Sequence, residues 1–232
     1  MSDRADLLAR LATAVAASPG VQSLTWRLCD ATRRLLGADG ASISMDSSAT
    51  SRVTLCATDE VAAELENLHD VLGEGPATEA YRTGSPVVVP IGQGAMVWSV
   101  FAEAAARQTN AATFFAVPMR SGTTVLGVMS LYRSTPGDLA EPLEQAAFLA
   151  DAVAAAVLHD SAFTAVPGEG GSWSNRAEIH QATGMVIAQL AVEVRDAMAI
   201  MRAHAFALDT SLAEIARAVL ERKIVFSKDG AT

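Results

Sequence analysis

Thr113-Phe-Phe-Ala-Val-Pro-Met119 and Thr123-Thr-Val-Leu-Gly-Val-Met-Ser-Leu-Tyr132, joined through Arg120-Ser121-Gly122, decide how this chain folds. Two apolar runs on either side of a Ser-Gly pair read as two strands and a two-residue turn, a β-hairpin. Upstream, Ala41-Ser-Ile-Ser-Met45 and Arg52-Val-Thr-Leu-Cys-Ala57 alternate small polar with apolar residues, the period of two expected of strands with one wet face. Pro86-Val-Val-Val-Pro90 reads as a short strand at an edge, because proline cannot donate to a ladder. Elsewhere the period is helical: residues 4–17, residues 21–36 closed by Gly37, residues 59–72 stopping at Gly73-Glu-Gly-Pro76, residues 97–107, and an alanine-rich stretch over 139–163. The last carries Leu143, Ala146, Ala150, Val153 and Val157 on one stripe. The predicted order is helices, hairpin, helix, strand, helix, hairpin, helix, an α+β fold with a mainly antiparallel sheet.

The clearest break follows, at Thr164-Ala-Val-Pro-Gly-Glu-Gly-Gly-Ser-Trp173. It predicts a first domain over residues 1–163, a linker at 164–173, an all-helical domain at 174–226 and a tail at 227–232. Asn175-Arg-Ala-Glu178 has the form of a helix cap, and Ile179, Ala182, Val186, Ile187 and Leu190 then fill one face. Ala197, Ile200, Met201, His204, Ala205 and Leu208 repeat that spacing. Ser211-Leu-Ala-Glu214 is a second capping box, ahead of Leu212, Ile215, Ala216, Val219 and Leu220. Three short amphipathic helices make a thin core, which points to support from dimerisation.

Composition narrows the function classes. Of 232 residues, 50% are hydrophobic and 19% charged, enough for a sizeable core and too apolar for global disorder. The longest apolar run, Ala152–Leu158, is far short of the roughly 20 residues a membrane helix needs. The mixed charges of the first residues make a poor secretory signal, so a cytoplasmic protein is expected. Residues 1–173 hold 10 Lys+Arg against 19 Asp+Glu, which accounts for the whole net charge of −9; the remainder holds 7 of each, with both lysines in the last ten positions. An anion-facing surface therefore belongs at the C-terminal end. Cys29 and Cys56 lie 27 positions apart without a Cys-x-x-Cys or histidine pattern. That spacing argues against a disulfide scaffold or zinc site and reads as two small buried hydrophobes.

Several strings carry a family likeness. Leu72-Gly-Glu-Gly-Pro76, Ala80-Tyr-Arg-Thr-Gly-Ser-Pro86-Val-Val-Val-Pro90, Trp98 with Phe101, and Leu126-Gly-Val-Met-Ser-Leu-Tyr132 resemble a GAF domain of the small-molecule-sensing kind. Ile179-His-Gln-Ala-Thr-Gly-Met-Val186, Ala197 to Ala207 with Arg202-Ala-His-Ala205 inside it, and Ser211-Leu-Ala-Glu-Ile-Ala-Arg-Ala-Val219 resemble an ANTAR domain. Together they resemble the GAF-ANTAR transcription antitermination regulators of actinobacteria. The resemblance implies a sensor that controls a three-helix unit binding stem-loops in nascent mRNA, with no enzyme activity and no cofactor. It also implies an unidentified small-molecule ligand between sheet and covering helices, for which Met45, Trp98, Phe101, Phe115, Met129 and Tyr132 are the candidates. Ile91-Gly92 and Ala77 replace polar handles that relatives often carry, so the pocket is expected to be vestigial or to take something apolar.

For RNA, the candidates are His180, Gln181, Thr183, Gly184, Gln189, Arg202, His204 and Arg217. Arginine guanidinium stacks on unpaired bases as well as gripping phosphate, and a glycine in a helix exposes its peptide groups to a close backbone. Gly184 costs about 1 kcal/mol relative to alanine, so close helix packing or an outside partner must account for it. His204 falls on the apolar stripe and also reads as a core histidine. Thr183 stands where many ANTAR sequences carry lysine, which removes a phosphate-seeking charge. No Ser/His/Asp or Cys/His set has local context, and Asp209 with Glu214 faces a cap. Homodimerisation is expected through the 139–163 helix, whose small residues let two helices approach closely. Two rival readings remain: a helix-turn-helix DNA-binding regulator, and a signalling module that acts on a protein partner.

Overall fold

The computed structural model describes residues 4–18, 20–48, 51–92, 97–160 and 172–227. The chain divides into two compact units, Met1–His69 with Glu74–Ala165, and Asp70–Gly73 with Val166–Thr232. In chain order the elements are α1 (Arg4–Ala16), α2 (Leu24–Leu35), β1 (Gly40–Ser48), β2 (Ser51–Ala57), α3 (Glu60–Leu72), α4 (Pro76–Thr83), β3 (Val87–Pro90), α5 (Ser99–Gln108), β4 (Thr113–Ser121), β5 (Thr124–Arg133), α6 (Leu143–Leu158), α7 (Ser172–Leu190), α8 (Val194–Ala207) and α9 (Leu212–Leu220).

The first unit is built on a five-stranded sheet of order β2-β1-β5-β4-β3. Every neighbouring pair is antiparallel, and the β4–β5 hairpin supplies two of the three central strands. The proline-bounded β3 lies at one edge. It pairs only with Thr113 to Ala116, so Pro118 sits beyond it, where β4 has a neighbour on one side and a missing N–H is tolerated.

Strand alternation gives the sheet two unlike faces. Ala41, Ile43, Met45, Phe115, Val117, Met119, Met129 and Leu131 all point to one side. There α2 packs on β1 and β2, α6 packs on β4 and β5, and α1 lies against both helices. The stripe Ala146, Ala150, Val153 and Val157 of α6 is fully buried in this core. The helix runs from Leu143 to Leu158 and not over 139–163; Pro142 stands at its N-cap, and residues 161–163 fall outside the described residues. Those four residues pack inside their own domain, whereas Leu143 of the same stripe is 37% exposed.

On the opposite face, α4 packs against β3, β4 and β5. Sequence periodicity missed this helix. Pro76 reads as a stop after Gly73-Glu-Gly, but it occupies the first turn, where the lost N–H has no intrahelical partner in any case.

The second unit is three helices around Ala182, Val186, Ala197, Met201, Ala205, Leu212, Ile215, Ala216 and Val219. Ser211 and Glu214 form the reciprocal capping box at α9. The first helix starts at Ser172, so Asn175 is interior and not a cap, and the last two residues of the expected linker are helical. The rest of that linker, 164–171, and the tail from 228 lie outside the described residues.

The β1–β5 pairing leaves no room at Gly127, where an added Cβ would fall 2.2 Å from the Ser44 carbonyl oxygen and 2.9 Å from Met45 Cα. Gly127→Ala therefore forces two central strands apart and is expected to destabilise the first unit by about 1–3 kcal/mol, read as a drop in the urea unfolding midpoint.

Candidate functional site

The face of the sheet under α3, α4 and α5 carries a polar centre. Register places Ser42 of β1 opposite Ser130 of β5, and Ser130 opposite Ala116 of β4. Above this row, α3 sets Glu66 and His69 one turn apart, at 3% and 1% exposure. Ser42 Oγ donates to Glu66 Oε1 at 2.9 Å and Ser130 Oγ donates to the same oxygen at 2.6 Å. A buried carboxylate without such donors carries a large desolvation penalty; here hydroxyls from two adjacent strands solvate it.

His69 is held at both ring nitrogens. Nδ1 lies 2.7 Å from the Leu65 carbonyl, which fixes it as the protonated nitrogen, and Nε2 accepts the Ala77 N–H at 3.2 Å. Gly75, the N-cap of α4, has no side chain to satisfy that first turn, so the imidazole caps α4 from another helix. Glycine at position 75 is required twice over: its φ is +132°, and a Cβ would stand 2.8 Å from His69 Cδ2. The ring also packs on Phe101 of α5 at 4.3 Å and Phe114 of β4 at 5.3 Å between centroids. Burial pulls its pKa down to about 4, against the attraction of Glu66, and the nearby Arg52 guanidinium pushes the same way as burial. His69 is thus a neutral donor and acceptor at pH 7. Both ring nitrogens serve backbone groups, so neither acts as a base on Ser42 or Ser130.

At the margin of this face, Tyr132 Oη donates to Asp59 Oδ1 at 3.3 Å, and the same oxygen caps α3 through the Ala62 N–H. Burial, then the Asp59 charge, pushes the phenol up to about 12.

The six ligand candidates divide between the two faces. Phe101 and Tyr132 lie on the polar side, whereas Met45, Phe115 and Met129 belong to the apolar core under α2 and α6. Trp98 is half-buried at the start of α5 with φ +52°. Glu66, His69, Ser42 and Ser130 form a buried polar cluster on that side which the six candidates did not include. The overlooked signal was legible: Glu66 and His69 interrupt the apolar face that Ala62 and Leu65 begin on residues 59–72.

In the second unit, the RNA candidates also divide. Thr183 is buried; its Oγ1 donates to the Ile179 carbonyl at 2.7 Å, which removes it from any surface. Gln189 Oε1 accepts the Phe226 N–H at 3.0 Å, and His204 meets the Phe226 ring edge-on at 5.2 Å. Arg202 Nε donates to the Asp70 carbonyl at 3.0 Å, and burial lowers the pKa of its guanidinium. His180, Gln181 and Gly184 are exposed on α7. Beside them, exposed Arg217 of α9 pairs with Glu178 at 3.3 Å.

An antiparallel five-stranded sheet with helices on both faces and a polar centre under one set of them defines a small α+β domain. A GAF domain model matches residues 18–158, and the chain belongs to the GAF domain family. Its fold is similar to the GAF domain of an Acinetobacter phosphoenolpyruvate-protein phosphotransferase, with 15% identity over 72% of this chain and 100% of that one, at a TM-score of 0.50. The corresponding domain from Coxiella burnetii gives 17% identity over 71% of this chain and 100% of that one, at 0.49. A domain of a two-component sensor histidine kinase from Sinorhizobium meliloti gives 16% over 61% and 92%, at 0.47. No curated protein matches. The matched family region ends before the three-helix unit. Among the described residues, no helix is long and apolar enough to cross a membrane.

The His69 arrangement sets a pH dependence. Unfolded, the imidazole takes its proton near 6.5; folded, near 4. As pH falls through that window the unfolded chain binds the proton first, so stability is whole above 6.5 and declines toward pH 4, by about 3 kcal/mol from this group. His69→Gln is expected to flatten that decline, checked by urea unfolding of both proteins at pH 7 and pH 4.5.

Proposed function

We propose that the chain is a cytoplasmic regulator in which the GAF domain senses a small molecule and controls the helical unit, which binds stem-loops in nascent mRNA and keeps a terminator hairpin from forming. The observation that carries this reading is Gly184. It stands exposed in the middle of α7, and a Cβ built on it meets nothing within 4 Å. Close packing among the described residues therefore does not account for a glycine that costs about 1 kcal/mol relative to alanine in a helix. A partner that approaches the helix backbone does account for it, and His180 and Gln181 are exposed on the same helix. The exposed Arg217–Glu178 pair holds its guanidinium weakly, so a phosphate or unpaired base displaces Glu178 at little cost.

Few cations and an exposed peptide surface suit unpaired bases better than duplex DNA. A recognition helix in a major groove needs several base-reading side chains, and α9 offers Arg217 while Glu214 is spent on its own cap. The proposal contains no catalytic step. Sensing acts as a population shift, in which the ligand favours one arrangement of the domain. Two copies would meet along α6 by its outer line, Phe148, Ala152, Ala155 and His159, since the inner stripe is occupied.

One observation favours a second reading, docking of a protein helix. The exposed line Ala177, Gln181, Gly184 and Ala188 is small and uncharged, and Val194, Phe206 and Leu208 stand 59%, 48% and 57% exposed in the same unit.

Fluorescence anisotropy of the full chain with a two-hairpin RNA, its scrambled version and a duplex DNA separates these readings. Preference for the hairpins is expected; equal or absent binding to all three overturns the RNA reading. Gly184→Ala is expected to raise stability by about 1 kcal/mol in urea unfolding, since nothing obstructs the methyl group. Gly184→Leu is expected to weaken hairpin binding by about tenfold or more while leaving the fold intact, because it covers the peptide surface that an unstacked base would approach.

A further inference from the structure

The structure brings together the only two cysteines of the chain, which sequence spacing gave no reason to associate. Cys29 is fully buried in α2, and Cys56 is half-buried on the edge strand β2. A β-bulge makes the meeting. Ile43 pairs with Cys56 and Ser44 pairs with Thr54, so Leu55 is an extra residue, and Leu55 and Cys56 both turn to the side where α2 packs. Strict alternation would have sent one of two consecutive residues to the opposite face; re-aiming a side chain is what bulges do. The Cys56 thiol stands close enough to Cys29 that, together with burial, it raises the Cys29 pKa well above the usual thiol range.

We propose that Cys29 and Cys56 form a reversible intramolecular disulfide, with a hydroperoxide as the oxidant. Cys56 is the attacking sulfur because it alone of the pair reaches solvent. As the thiolate it takes the terminal oxygen of the hydroperoxide: an S–O bond forms, the O–O bond breaks, and the alcohol or water leaves with the proton the thiol gave up. Cys29 then attacks the Cys56 sulfur. The S–S bond forms, the S–O bond breaks, and the Cys29 proton leaves with the hydroxyl as water. Two thiols have lost two hydrogens and two electrons, and one hydroperoxide has been reduced. The buried Cys29 thiol is a weak nucleophile alone; contact with its target supplies the effective concentration that the second step needs. The link would tie α2 to the edge strand on the side of the sheet away from Glu66, and a dithiol reductant would release it.

The reduced full-length protein is treated with hydrogen peroxide, quenched, denatured and blocked with N-ethylmaleimide before intact mass spectrometry. The expected product carries no maleimide, is two hydrogens lighter than the reduced chain, regains two labels after dithiothreitol, and yields one crosslinked peptide pair on non-reducing digestion. Retention of both labels, oxygen addition without a link, or a covalent dimer on a non-reducing gel overturns the proposal. Cys56→Ser is expected to slow peroxide-dependent loss of the remaining thiol by about tenfold or more, because a buried neutral thiol reacts poorly. An unchanged rate would reverse the assigned order of attack. In Cys29→Ser, dimedone is expected to capture Cys56 as the sulfenic acid, and failure to capture it removes the first step.

Discussion

Burying the Glu66 carboxylate over the middle of a β-sheet is the constraint to which the first domain is fitted. A lone ion there would carry a heavy desolvation penalty, and the sheet answers with hydroxyls from two neighbouring strands, at the one row where β1 and β5 both present serine. The register of those strands is thereby tied to the chemistry: a slip by one residue would put Ile43 or Met129 under the carboxylate and turn the serines into the apolar core. His69 extends the same logic to the next helix, spending its acceptor on the open first turn of α4. Strand register, the depth of α3 and the start of α4 are therefore one interlocked arrangement.

How much of this was legible follows from what each signal measures. The alternation of residues 41–45 and the long run to Tyr132 report a backbone period, and the strands fall where that period placed them. The same alternation would have sorted the ligand candidates by face, because Met45, Phe115 and Met129 keep step with Ile43, Val117 and Leu131. Helix α4 escaped because proline is ambiguous: after a helix it ends one, and before a helix it begins one. The sequence of Gly73 to Pro76 allows both.

The helical unit was harder for a different reason. Alanine is compatible with either side of a helix, and α7 and α8 carry it on both, so the apolar stripe does not fix which polar residues face out. Thr183 illustrates the consequence: a residue chosen for its polarity closes its hydroxyl on the carbonyl one turn back and joins the core. Arg202, Gln189 and His204 likewise meet partners that lie far away in sequence or beyond the helices. What stays exposed from that set is a glycine, an amide, an imidazole and one guanidinium paired with Glu178.

β1 is where the two chemistries of the first domain are closest. Ser42 faces Glu66, and its neighbour Ile43 faces the opposite side beside Cys56. One strand thus has a polar acceptor site on one side and a thiol pair on the other, separated by the thickness of the sheet. A domain interior is close-packed, so a covalent tie between α2 and β2 cannot be absorbed by slack. Its strain falls on β1, the strand that lies between β2 and the Ser130 that completes the Glu66 site. The bridge would then bear on the same register that holds Ser42 and Ser130 under Glu66, and any free-energy coupling between the two is reciprocal.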